Sequence, residues 1–95
     1  MNNLKRVFFI DGVRTPFQMS GTGYKNLDCY QLASYTLKSL TKDLPCSKHD
    51  LDNVIFGNVI QDSKTSNVAR EAMIISDMKD RIPANTVTMA CISSN

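Results

Sequence analysis

Three short apolar runs alternate with two segments of helical periodicity along the chain. The apolar runs are rich in Val, Ile, Phe, Thr and Met and cover residues 7–10, 54–60 and 86–89. Polar or turn-forming residues bound each run. Continuous runs of this length are typical of strands that are buried on both faces of a parallel sheet. Gly57 interrupts the second run, and a glycine there indicates a bulge or the close approach of another backbone segment.

The segments between these runs have the spacing of amphipathic helices. Apolar residues recur every three or four positions over residues 28–44, and Asp28 begins a capping-box sequence. Thr65 or Ser66 can cap a second helix over residues 67–78, which has a face of small residues. Strands that alternate with helices predict an α/β fold in which crossover helices join parallel strands in the order βαβαβ.

Composition and charge exclude several functions. The chain is 42% hydrophobic and 21% charged, as is ordinary for a globular protein, and no apolar run is long enough to span a membrane. The net charge is only +2 and the Lys and Arg residues are scattered, so no nucleic-acid surface is predicted. The first apolar run is too short for a signal peptide. No metal site is predicted, because His49 is the only histidine and has no partners at ligand spacing.

Cysteine is the residue type with the clearest chemical potential. Cys29, Cys46 and Cys91 are odd in number and widely spaced, which fits neither a disulfide framework nor a zinc site and favours a reducing compartment. Cys91 lies one residue beyond Ala90, which ends the junction after the third predicted strand, and it is predicted to begin a helix. A helix N-terminus favours a thiolate, and its N–H groups can hold a thioester oxyanion. On this local pattern alone, a packing role is the stronger interpretation.

Three basic residues each have two interpretations. His49 is either a catalytic base or, more simply, a surface histidine in a polar connection. Arg14 and Arg70 could contact an anionic ligand, but a structural ion pair or a subunit contact is the stronger interpretation for each.

Four segments, in the correct order and covering nearly the whole chain, resemble the thiolase family: residues 11–17, 54–61, 67–70 and 88–91. The last segment has Cys91 where the family carries its nucleophile, which reverses the interpretation of that cysteine. Residues 92–95 depart from the Gly-Ser-Gly that follows the nucleophile in most thiolases. This departure, together with residues 20–22 and 64–71, is similar to the mitochondrial long-chain branch of the family, which acts in fatty-acid β-oxidation.

The resemblance implies a layered α/β/α/β/α fold of two similar halves, in which residues 1–95 form the βαβαβ portion of an incomplete N-terminal domain. It implies thiolytic cleavage of 3-ketoacyl-CoA through an acyl-thioester on Cys91, with coenzyme A as a substrate and no permanently bound cofactor. Residues 85–89 would lie near a dimer interface. The implied partners are further copies in a homodimer or tetramer, or a hydratase/dehydrogenase α-subunit.

The resemblance also implies a mitochondrial location, with the cytoplasm as the alternative. The family's base histidines and second cysteine are expected outside residues 1–95, so this segment alone is expected to be inactive. Two other functions stay open: a biosynthetic acetoacetyl-CoA thiolase, and a non-catalytic truncated fragment.

Overall fold

A computed structural model describes residues 3–95 and contains a two-stranded parallel sheet with two α-helices on one face. The elements in chain order are α1 (Cys29–Lys42), a 3₁₀ turn (Lys48–Asp50), β1 (Val54–Gly57), α2 (Val68–Ile75) and β2 (Ala84–Val87). β1 and β2 pair in parallel, with Val54 opposite Ala84 and Gly57 opposite Val87. α2 is the crossover between them, so the α/β class, the parallel pairing and the crossover helix are confirmed.

The strand predicted at residues 7–10 is the exception. Residues 3–19 contain neither helix nor strand, and the side chains of Val7 and Phe9 are each 94% exposed. A strand that is apolar on both faces is stable only where a neighbouring strand supplies hydrogen bonds and other elements cover it. No described element provides both for residues 7–10, so this part of the strand prediction is wrong for the structure described.

The predicted strand limits are also shifted. β1 ends at Gly57 instead of continuing to Ile60, and β2 covers Ala84–Val87 where 86–89 was predicted. Pairing sets these limits: the Val54 N–H donates to the Pro83 carbonyl at 2.9 Å, at the point where the two strands begin. Local β-propensity identifies which segments are extended, but the partner strand decides where each one starts and stops.

Asn67 caps α2 in place of the predicted Thr65 or Ser66. Its side-chain Oδ1 accepts a hydrogen bond from the Arg70 N–H at 3.2 Å, and α2 begins at the next residue, Val68. Asparagine is among the best N-cap residues, because a short side-chain acceptor satisfies an N–H group that has no partner within the helix.

α2 ends three residues before its predicted limit, in a Schellman motif. Asp77 adopts the left-handed conformation with φ of 59°. The Asp77 N–H donates to Ile74 O at 3.1 Å, and the Met78 N–H donates to Met73 O at 3.4 Å. Met78 is buried in the same apolar cluster as Met73, which is the apolar contact that usually accompanies this motif. The apolar pattern thus continues beyond the helix that it helps to end.

The core lies between α1, α2 and one face of the sheet. Its buried apolar residues are Leu37, Val54, Ala69, Ala72, Met73, Met78 and Ile82. Ala69 and Ala72 are completely buried, so the predicted small-residue face of α2 is confirmed, and small side chains allow the helix to pack closely. The opposite face of the sheet lies open, and Ile55 on that face is 62% exposed. Within residues 3–95, neither helix is long and apolar enough to cross a membrane.

Candidate functional site

Cys91 lies in a tight turn just beyond the C-terminal end of β2. The Ile92 N–H donates to Met89 O, and the Ser93 N–H donates to Ala90 O, each at 3.2 Å. These bonds form successive turns, so the described residues show a turn at Cys91 where the sequence predicts the start of a helix. Two of the backbone N–H groups proposed to hold an oxyanion are used inside the turn itself. Cys91 is a free, exposed cysteine.

The Ser93 side chain closes the turn around Cys91. Ser93 is only 7% exposed, and its Oγ accepts a hydrogen bond from the Met89 N–H at 2.8 Å and donates one to Ala90 O at 2.6 Å. Ala90 has φ of 50°, a left-handed conformation that is uncommon for residues other than glycine. Ser93 was missed as a candidate from the sequence. The feature of the sequence that could have identified Ser93 is the tendency of serine side chains to form hydrogen bonds with nearby backbone groups in turns.

Gly57 allows this turn to pack directly on the end of β1. A Cβ atom placed on Gly57 would lie 2.5 Å from both the Ser93 carbonyl carbon and the Ser94 nitrogen, far inside contact distance. The close backbone approach predicted at Gly57 is therefore confirmed, and the approaching segment is the Cys91 turn.

Two further hydrogen bonds hold the ends of the strands together beside this turn. The Asn58 N–H donates to Val87 O at 3.0 Å, and the Thr88 hydroxyl donates to Asn58 O at 2.6 Å. Cys91 is therefore fixed at the carboxyl edge of the parallel sheet, the edge at which ligands commonly bind in open α/β folds.

An open, largely apolar pocket of about 410 Å³ lies beside the turn. It is lined by Ile55, Phe56, Gly57, Val87, Met89, Ser93, Ser94 and Asn95. The Cys91 side chain is not one of the lining groups, although residues on both sides of it are. The pocket lies mainly on the uncovered face of the sheet, opposite the helices.

Cys29 is in a less reactive environment than its position in the first turn of α1 suggested. Its Sγ lies 4.0 Å from the Asp62 carboxylate, and Cys29 is partly buried. Burial and then the negative charge of Asp62 raise the pKa of the Cys29 thiol, so the thiolate is disfavoured. Cys46 is exposed in the loop that follows α1.

His49 is not brought to Cys91. It lies in the 3₁₀ turn that leads into β1, whereas Cys91 follows the end of β2. Because the strands are parallel, these positions are at opposite edges of the sheet. The strands between them have four residues each, a length of about 13 Å. His49 is partly buried, and its carbonyl accepts a hydrogen bond from the Arg81 guanidinium at 3.4 Å. The described residues contain no cluster of His, Cys, Asp and Glu that could hold a metal ion.

The two arginines have structural contacts. Arg70 donates from Nη1 to the carbonyls of Asp80 and Ile82, at 2.6 and 3.3 Å, and so connects α2 to the loop before β2. The Arg14 guanidinium lies over the Phe17 ring, 5.2 Å from its centre. Arg70 therefore has a structural role through two backbone carbonyls instead of the expected ion pair, and neither arginine lies in the Cys91 turn.

Comparison with known proteins agrees with this arrangement. Residues 7–95 match the family model described as the N-terminal domain of thiolase. Over 93 residues, the chain is 52% identical to the mitochondrial trifunctional enzyme subunit beta of Bos taurus and of Homo sapiens, covering 98% of this chain and 20% of each relative. It is 46% identical over 93 residues to a probable 3-ketoacyl-CoA thiolase of Caenorhabditis elegans, covering 98% of this chain and 21% of that protein.

A parallel βαβ unit with a cysteine turn at its carboxyl edge, together with a match that spans nearly all of its length, defines the class: the chain belongs to the thiolase family. The resemblance to the mitochondrial branch of the family is confirmed by relatives named as the beta subunit of the mitochondrial trifunctional enzyme. The chain spans about a fifth of the length of these relatives, 20% for the first of them.

Proposed function

We propose that this chain supplies the nucleophile of a 3-ketoacyl-CoA thiolase, an acetyl-CoA C-acyltransferase of fatty-acid β-oxidation. The observation that carries the proposal is the position of Cys91. It is exposed on a turn that Ser93 and Gly57 fix at the carboxyl edge of the sheet. A relative that is 46% identical over 98% of the chain is named as a probable 3-ketoacyl-CoA thiolase, which supports the proposal.

In the proposed reaction, the Cys91 thiolate attacks the 3-keto carbon of a 3-ketoacyl-CoA. The bond between C2 and C3 then breaks, and its electron pair leaves with acetyl-CoA, which takes up a proton. The acyl chain stays on Cys91 Sγ as a thioester. The thiol of a second coenzyme A loses its proton and attacks this thioester, which releases an acyl-CoA shortened by two carbons and restores the Cys91 thiolate.

Coenzyme A enters this cycle as a substrate, and the chemistry requires no permanently bound cofactor. The proton transfers require bases, and the only histidine of the chain lies at the wrong edge of the sheet. Residues 1–95 are therefore proposed to be part of an N-terminal thiolase domain, with the bases and the second cysteine supplied by residues outside this segment.

The names of the relatives support a location and a set of partners. Relatives at 52% identity are named as the beta subunit of a mitochondrial trifunctional enzyme. We therefore propose a mitochondrial location, with the cytoplasm as the alternative, and a complex with a hydratase/dehydrogenase α-subunit. Residues 85–89 are proposed to lie near the contact between two copies in a homodimer or tetramer.

Intact-mass spectrometry of the full-length protein tests the role of Cys91. Incubation with a long-chain 3-ketoacyl-CoA, without free coenzyme A, is expected to add the mass of the shortened acyl chain. Cys91→Ala is expected to abolish the adduct and to lower kcat by about 10³-fold or more, as loss of a covalent nucleophile does. Cys46→Ala, an equivalent change at another exposed cysteine, is the control and should keep both adduct and turnover.

The substrate profile separates the alternatives. Turnover of acetoacetyl-CoA without turnover of long-chain substrates would favour the biosynthetic enzyme. An adduct that persists in Cys91→Ala would refute the role of Cys91. A wild-type protein with neither adduct nor turnover would favour the non-catalytic interpretation.

A further inference from the structure

We infer that Ser93 and Gly57 are positioning residues that set the direction of Cys91 at the reacting centre. The inference rests on the proposed role of Cys91 as nucleophile and adds two residues that act on the reaction through it. Neither side chain needs to touch the substrate for this role.

The hydrogen bonds of the Ser93 side chain connect the residue two positions after Cys91 to the backbone just before it. Its Oγ bonds the backbone two residues before Cys91, at Met89, and the backbone immediately before it, at Ala90. Because Ser93 is only 7% exposed, water has little access to replace these hydrogen bonds. Removal of the hydroxyl would leave a backbone donor and a backbone acceptor without this partner, which loosens the turn.

The conformation of Ala90 depends on this brace. A non-glycine residue in the left-handed region costs energy and persists only when its surroundings hold it. The Ala90 carbonyl accepts hydrogen bonds from both the backbone N–H and the hydroxyl of Ser93, so one residue supplies both restraints. Because Ala90 directly precedes Cys91, its backbone angles set the direction in which the cysteine leaves the sheet.

Gly57 restrains the turn from a different element. The backbone of residues 93–94 lies so close to Gly57 that any side chain there would force the turn away from β1. The turn is therefore fixed internally by the Ser93 hydroxyl and externally by the end of β1. Two independent restraints on one short turn are expected where a reacting atom must be held within a fraction of an ångström.

Steady-state kinetics of the full-length protein test the inference, with the variants Ser93→Ala, Ser93→Thr and Gly57→Ala. Ser93→Ala and Gly57→Ala are each expected to lower kcat for a 3-ketoacyl-CoA by about 10- to 100-fold, as a misplacement near 1 Å does, with KM changed less than about twofold. Ser93→Thr keeps the hydroxyl and should recover most of the lost kcat. Ser66→Ala, the same chemical change at an exposed loop serine, should match wild type.

Alkylation by iodoacetamide separates positioning from ionisation of the thiol. This small reagent needs no particular direction of attack, so Cys91 labelling relative to Cys46 should stay within about threefold of wild type in Ser93→Ala, even though its kcat falls by the amount expected for misplacement. Labelling that falls in parallel with kcat would overturn the inference, because Ser93 would then act on the thiolate. A kcat for Ser93→Ala within twofold of wild type would also overturn it.

Thermal melting identifies a purely structural role. If Ser93→Ala fails to fold, Gly57→Ala decides, and a wild-type kcat there contradicts the inference. Loss of the fold in both, with Ser93→Thr folded, would assign both residues to stability instead. The proposed function is tested separately, by whether the wild-type protein forms the acyl adduct on Cys91. If that adduct forms on Cys91 while the variants keep full kcat, only the positioning role fails.

Discussion

The side chain of Cys29 is held in surroundings that suppress its reactivity, although it begins a helix. Helix N-termini generally favour thiolates. Here burial removes water from the thiol and the Asp62 carboxylate lies 4.0 Å from Sγ, and together they raise the pKa of Cys29. The environment beyond the helix thus outweighs the helix end, which explains why position in a helix is a weak guide to cysteine reactivity.

We predict that iodoacetamide labels Cys29 more slowly than Cys46 at neutral pH, and that the difference narrows as the pH rises. The sign follows from the pKa: a raised value means that the Cys29 thiolate forms only under more alkaline conditions. Asp62→Asn removes the second cause but leaves burial, so it should raise the labelling rate of Cys29 at neutral pH without bringing it to the rate of Cys46.

Peptide mapping of the labelled protein at pH 7, 8 and 9 measures these rates. Asp52→Asn, at an exposed aspartate before β1, is the matched control and should leave Cys29 labelling unchanged. Labelling of Cys29 as fast as Cys46 at every pH would show that its surroundings do not suppress the thiolate.

At the scale of elements, α2 is attached to β2 through the side chain that caps it. Asn67 accepts hydrogen bonds from the Arg70 N–H and, at 2.7 Å, from the Thr86 hydroxyl. Its Nδ2 donates to Ala84 O at 3.0 Å, and Thr86 Oγ1 accepts from the Ala69 N–H at 3.1 Å. One asparagine therefore joins the start of the crossover helix to the second strand of the βαβ unit.

Asn67→Ala is expected to lower the free energy of unfolding by about 2–3 kcal/mol, because it removes the cap and leaves polar groups on both elements without a partner. Asn67→Asp keeps an acceptor for the cap but replaces the Nδ2 donor with an oxygen that faces the Ala84 carbonyl, so an intermediate loss is expected. Urea unfolding of the full-length protein measures both. Ser66→Ala, at the neighbouring exposed serine, is the control and should change stability by less than about 0.5 kcal/mol. Equal stability of Asn67→Ala and this control would contradict the proposed link.

Periodicity in the sequence identified both helices and the paired strands, but not where each of them ends. The end of α2 shows the reason. Asp77 takes a left-handed conformation in which glycine is the usual residue, so no glycine marks the end of the helix. Met78 continues the apolar spacing because it is buried in the same cluster as Met73. Tertiary packing, which no local pattern records, therefore decides the last turn. The same holds for β2, whose start is set by its pairing with β1.

At the scale of the whole molecule, the chain has a covered face and an open face. The helices cover the side of the sheet that carries Val54, while Ile55 on the other side and Met89 beyond β2 are more than half exposed. Residues 7–10 add four further exposed apolar side chains. An apolar surface of this kind usually marks a contact with other protein. From the sequence, Cys91 could be chosen as the candidate nucleophile and the close approach at Gly57 could be predicted, but Ser93 emerged only once the turn was placed on the sheet.

Residues 1–95, expressed as a separate polypeptide, are predicted to lack thiolase turnover. Cys91 and His49 are at opposite edges of the sheet, so the segment's only histidine cannot serve the thiol. Cys91 is also exposed to water in this segment, and water weakens electrostatic contributions to catalysis. Cleavage of a 3-ketoacyl-CoA by this polypeptide is expected to be at least about 10³-fold slower than by the full-length protein, the order lost when a base and a shielded site are both missing.

The Cys91→Ala form of the same polypeptide sets the background of the assay. Turnover within tenfold of the full-length protein, and lost in Cys91→Ala, would show that these residues alone form a working site.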